Sequence, residues 1–149
     1  MVGSPIMNIS ERQRLITNEF ASLATWEDRY KHLIARGKKM GELPEEFKVE
    51  DLKVRGCQSQ VWLHAVLNGD GQILFRADSD AMIVKGLASV LVEVYSGATP
   101  QEILDASPSF LKDLGFESHL SPSRANGLYA MLKQILFYAT AYKALQARQ

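Results

Sequence analysis

The tightest constraint on this chain lies near its middle, where Asn68-Gly69-Asp70-Gly71 separates two apolar, β-branched runs. Asn-Gly and Asp-Gly steps supply the left-handed backbone angles that a tight hairpin needs. The flanking runs, Val61–Leu67 and Gln72–Ala77, therefore read as an antiparallel pair. A bare hairpin is marginal in water, so a third strand is expected from residues 51–55.

Everything around the hairpin has helical periodicity. Ser10-Glu11-Arg12-Gln13 reads as a capping box opening a helix with Leu15, Ile16, Phe20 and Leu23 on one face. Thr25 caps a second helix carrying Trp26, Tyr30, Leu33 and Ile34, with Gly37 as its expected stop. Residues 38–54 read as loop, with one helical turn at Pro44-Glu45-Glu46-Phe47. Asp78-Ser79-Asp80 reads as the cap of a long apolar helix, with Ile83, Leu87, Val90, Leu91 and Val94 in register up to Gly97. Thr99-Pro100-Gln101-Glu102 starts another helix, and Ser109–Leu114 a further turn. Ser121-Pro122-Ser123-Arg124 opens the last helix, whose apolar positions run from Leu128 to Ala139; its tail, 142–149, is expected to fray. These elements predict a single α+β domain over 1–149, a small three-stranded antiparallel sheet packed by helices. Residues 1–7 are expected to be a disordered leader.

Bulk properties exclude several function classes. At 149 residues the chain buries roughly 68–70% of its unfolded surface and folds without staples. Seventeen Lys and Arg balance seventeen Asp and Glu, which leaves no basic face for nucleic acid. No apolar run reaches the roughly 18–20 residues of a membrane span, and the start lacks a signal-peptide pattern. The expected location is cytoplasmic. The single cysteine excludes an internal disulfide and any thiolate-rich metal site within one chain. His32, His64 and His119 have no paired metal-ligand spacing. No metal is expected.

That cysteine, Cys57, sits in Arg55-Gly56-Cys57-Gln58-Ser59-Gln60, at the mouth of the first strand. A free cysteine is often a small buried hydrophobe, but the polar neighbours favour a presented thiol, and Gly56 allows the loop to bend. Three roles are open. A hydrolase nucleophile needs a base within reach, and His64 lies over ~20 Å of strand away. A redox sensor normally has a resolving cysteine, and here there is none. A sulfur acceptor needs one thiol, a mobile loop and a shielded place for a labile product; this role matches the inventory best. Arg124 stands at a helix start, where a cation is disfavoured by the dipole, which implies a partner such as Asp80, a thiolate or a docking protein.

Gly56-Cys57-Gln58-Ser59-Gln60-Val61-Trp62 resembles the active-site signature of the SufE family of sulfur acceptors. The resemblance extends through Trp26-Glu27 with Tyr30, Leu43-Pro44, Asp78-Ser79-Asp80-Ala81 leading into Ile83–Leu87, Thr99-Pro100, and Leu120–Arg124 running to Gly127-Leu128. It implies a SufE/IscU-like (SufE/NifU) fold and a persulfide accepted on Cys57 from the persulfidated cysteine of a desulfurase. The alternative is a regulatory module that activates the desulfurase by docking alone. Gly56, Gln58, Ser59, Gln60, Asp80 and Arg124 would shape the pocket or the docking face. In the family the thiol rests in an apolar cavity and swings out on docking. Implied partners are a cysteine desulfurase of the SufS/CsdA type, which carries the pyridoxal phosphate, and a downstream SufBCD-type scaffold; homodimerisation is left open. No cofactor is expected on this chain itself. Gln58-Ser59-Gln60 resembles the SufE branch more than the CsdE branch. Ala77 departs from the glycine often found before the Asp-Ser-Asp run.

Overall fold

The computed structural model describes residues 7–148, so the expected leader falls outside the described residues except for Met7. In order, the chain forms α1 (Ile9–Ala21), α2 (Trp26–Met40), two short 3₁₀ turns (Glu45–Phe47 and Glu50–Leu52), β1 (Val61–Leu67), β2 (Ile73–Ser79), α3 (Met82–Tyr95), α4 (Pro100–Asp105), α5 (Phe110–Asp113), α6 (Phe116–His119) and α7 (Pro122–Gln146). This is an α+β fold in which helices cover a small antiparallel sheet.

The sheet has two strands among the described residues, paired from Val61↔Ser79 to Leu67↔Ile73. The expected third strand is absent because Glu50–Leu52 coils into a 3₁₀ turn. Only Lys53 bridges β1, opposite Trp62, and the Val54 N–H donates to the Val61 carbonyl at 2.8 Å. Acidic residues such as Glu50 and Asp51 are poor strand formers. On the other edge, residues following α3 complete the pairing. Ile73 N–H donates to the Ala98 carbonyl at 2.8 Å, and Phe75 N–H to Ser96 Oγ at 2.9 Å.

Strand alternation sends Val61, Leu63, Ile73, Phe75 and Ala77 inward, where they meet Leu87, Val90, Leu91 and Val94 of α3. Each of the Val, Leu, Ile and Phe side chains among them contributes roughly 1.5–3 kcal/mol by leaving water. α3 is the central helix, because α2 packs along it with almost no space between the backbones. A Cβ on Gly86 would lie 2.3 Å from the Leu33 carbonyl oxygen, and one on Gly37 2.9 Å from the Gly86 nitrogen. Gly37 is thus a close-approach residue and not the expected stop. α2 runs on to Met40 and ends at Gly41, whose φ is 82°.

Three local expectations also change. Asn8, not Ser10, caps α1: its Oδ1 accepts from Glu11 N–H at 2.8 Å, and Glu11 closes the box. Asp78-Ser79-Asp80 caps no helix, since β2 extends through Ser79 and Ala81 is the N-cap of α3 with no side-chain bond. The tail of α7 stays helical to Gln146 because Tyr142 Oη donates to the Ala65 carbonyl at 3.2 Å, tying the helix to β1. The Thr99–Glu102 capping box forms as expected.

Candidate functional site

The loop between Val54 and β1 is held at its ends. Val54 is buried and bonded to Val61. Gly56 turns the chain with φ 89°, a left-handed angle that side chains resist. A Cβ built on Gly56 would lie 3.8 Å from Ala130 Cβ, so the turn passes close to α7. At the far end Asp80 and Gln60 clasp each other. Gln60 N–H donates to Asp80 Oδ1 at 3.0 Å, and Asp80 N–H donates to the Gln60 carbonyl at 3.2 Å.

Between these anchors Cys57 is half-buried, packed on the core and turned toward α7. Its Sγ lies 3.8 Å from the Gly127 carbonyl, which accepts the weak S–H donor. Burial pushes the Cys57 thiol pKa up, because a thiolate loses its hydration there. Burial thus favours the protonated thiol over the nucleophilic thiolate.

The sulfur borders a cleft of about 230 Å³. Cys57, Gln58 and Ser59 form one wall, residues 81–84 at the start of α3 a second, and Ser123, Arg124 and Gly127 of α7 a third. The expected residues Cys57, Gln58, Ser59 and Arg124 thus converge. Gln60 and Asp80 pair with each other at the loop's end. Asp80 forms no ion pair with Arg124 among the described residues, and the Arg124 backbone N–H caps back to Ser121 Oγ.

No histidine or carboxylate among the described residues lines the cleft. His64 lies on the outer face of the sheet, its ring 4.1 Å from that of Phe47. His119 stacks on Trp26 at 4.0 Å, and His32 bonds Glu19. With no base beside the sulfur, the nucleophile–base arrangement of a cysteine hydrolase does not form. No group of His, Cys, Asp and Glu among the described residues is arranged to hold a metal, and no described helix is long and apolar enough to cross a membrane.

Two further residues take roles at the site that the sequence did not assign them. Asp78, paired with Trp62 across the hairpin, is 3% exposed. Its carboxylate accepts from the N–H groups of Leu43 (3.0 Å) and Ser79 (2.8 Å) and from Lys85 (3.2 Å) and Lys48 (3.3 Å). Burial opposes ionisation here, yet these four donors outweigh it and hold the carboxyl below its usual range. The hub ties the segment leading to Cys57 onto the sheet and α3. Gly127 is the second. A glycine six residues into an apolar helix is a visible signal, since it costs roughly 1 kcal/mol against alanine.

Comparison with known proteins adds two findings. Residues 14–139 match the family model SufE, described as an Fe-S metabolism associated domain. The fold is similar to the solution structure of a hypothetical protein from Thermus thermophilus. That likeness has a TM-score of 0.73 and 26% sequence identity, over 89% of this chain and 96% of that one.

Proposed function

The chain belongs to the SufE family of Fe–S metabolism, and from that premise we propose that Cys57 accepts sulfane sulfur as a persulfide, stimulates a cysteine desulfurase by unloading it, and passes the sulfur on toward cluster assembly. The observation that carries this reading is a lone, half-buried thiol facing a cleft in which no described residue offers a base, on a loop whose middle is held by the weak contact of Cys57 with the Gly127 carbonyl. Such a site suits sulfur exchange and suits acyl transfer poorly.

In the transfer, the Cys57 thiolate attacks the terminal sulfur of the donor's cysteine persulfide. One S–S bond forms on Cys57, the donor's S–S bond breaks, and the donor cysteine leaves as a thiolate; no net oxidation occurs. The buried resting thiol must first lose its proton, so docking has to draw the loop out or hydrate it. Gly56 supplies the bend, and the Asp80–Gln60 clasp is the restraint that yields. Gln58 and Ser59 form the rim, and Arg124 offers a cation to the anionic product. The donor is a SufS/CsdA-type desulfurase, the SUF type being favoured, and it brings the pyridoxal phosphate. A SufBCD-type scaffold is the recipient.

Desulfurase turnover with saturating partner tests the reading. Cys57→Ser should abolish the stimulation while leaving complex formation intact. Stimulation retained by Cys57→Ser would instead assign the chain the role of a docking activator that carries no sulfur.

A further inference from the structure

Gly127 occupies a position where nothing in the packed protein forbids a side chain. It is buried within α7 and has no positive φ, so neither exposure nor backbone angle calls for glycine. The other two helix-interior glycines facing α2 and α3 have a steric reason, since a Cβ at Gly86 or Gly37 would meet backbone atoms at 2.3 or 2.9 Å. At Gly127 the one atom within 4 Å of an added Cβ, outside its own helix, is Cys57 Sγ at 3.6 Å. That is ordinary van der Waals contact. The thiol form of the protein would accept alanine, and alanine is the better helix former by roughly 1 kcal/mol. The bare backbone is unexplained while Cys57 carries only its own sulfur.

Building on the acceptor reading above, we propose that Gly127 is a specificity-determining residue that reserves room for the sulfur atom Cys57 gains. The added sulfur stands about 2.05 Å from Sγ and needs roughly 3.5–4 Å to any carbon it does not bond. Gly127 and Cys57 line the same 230 Å³ cleft. A methyl at 3.6 Å from Sγ takes up part of the shell in which the outer sulfur must lie. Alanine at this position leaves the thiol undisturbed and crowds the persulfide. The cleft therefore tells the two states of Cys57 apart by one atom, and glycine sets the threshold.

The test uses the full chain, its Gly127→Ala and Gly127→Ser variants, and sodium tetrasulfide as a chemical donor. The Cys57 thiolate attacks a terminal sulfur of tetrasulfide, forms the new S–S bond and releases trisulfide. Three readouts are taken: persulfide by intact mass, alkylation of the free thiol by iodoacetamide, and thermal unfolding. Gly127→Ala should melt at or above the parent temperature and alkylate at the parent rate, yet retain about tenfold less persulfide, the scale on which one extra methyl crowds a packed site. Gly127→Ser should show the same loss. Equal persulfide in parent and variants overturns the proposal. So does a large fall in melting temperature, which would give the glycine a packing reason, and so does a matching loss of alkylation, which would mean blocked access. A parent chain loaded by tetrasulfide but never by a desulfurase, with the variants still depleted of persulfide, would sink the acceptor reading and support the role of Gly127.

Discussion

A thiol tucked beneath a helix carbonyl reacts only as fast as its loop lets it out. Cys57 combines a raised pKa with half-burial, and both lower the concentration of exposed thiolate at neutral pH. Its alkylation by iodoacetamide should accordingly be slower than that of the urea-unfolded chain at the same pH, with a rate that climbs only at higher pH. Rates equal to those of the unfolded chain would show that the thiol is not shielded. Asp80 contributes through a single acceptor, the Oδ1 that takes the Gln60 N–H. Asp80→Ala should raise the alkylation rate about 2- to 10-fold, the range that loss of one hydrogen bond of about 0.5–1.5 kcal/mol allows. An unchanged rate would mean that the clasp does not restrain the loop.

At the scale of elements, the α2–α3 contact is the least forgiving part of the molecule. A methyl at Gly86 would sit 2.3 Å from the Leu33 carbonyl oxygen, against backbone that cannot rotate away. Gly86→Ala should cost at least about 3 kcal/mol, at the upper end of overpacking penalties, read as a shift in the urea midpoint. A shift of under half that size would show that the helices separate cheaply. Between α1 and α2, ring packing of Phe20 on His32 is joined by an ion pair. Glu19 accepts from Arg36 Nε and Nη2 at 2.6 and 2.9 Å and also bonds His32. The Arg36 guanidinium above all holds the Glu19 carboxyl down from 4.5 to about 2. Because the folded carboxyl is the stronger acid, the unfolded chain takes up this proton first as pH falls. Stability present above about pH 4.5 is lost between there and about pH 2. Glu19→Gln should flatten that part of the stability–pH curve in urea titrations. A parallel curve would remove Glu19 from the acid response. The group is partly exposed, so the effect should weaken in salt.

Across the whole molecule, what sequence could supply was whatever depends on local chemistry. The Asn68–Gly71 turn, the Thr99–Glu102 box and the apolar stripe of α3 each report short-range rules, and each led to a correctly typed element. The missing third strand and the role of Gly37 turn on long-range contacts. A 3₁₀ turn outcompetes ladder bonds at 50–52, and a neighbouring helix takes the space at Gly37. Cys57 stood out as the single thiol beside polar residues, and the cleft brings Gln58, Ser59 and Arg124 to it. Asp78 and Gly127 were named in the sequence, but their contacts stayed hidden for the same reason as that of Gly37, since the partners lie 35 and 70 residues away. As proposed, this cleft receives sulfur on Cys57. The decisive experiment is intact-protein mass spectrometry after mixing the chain with a cysteine desulfurase, its pyridoxal phosphate and free cysteine. The expected result is a reductant-sensitive gain of one sulfur atom, mapped to Cys57 and absent from Cys57→Ser. An unmodified Cys57 alongside a stimulated desulfurase would contradict it and leave a docking activator in its place.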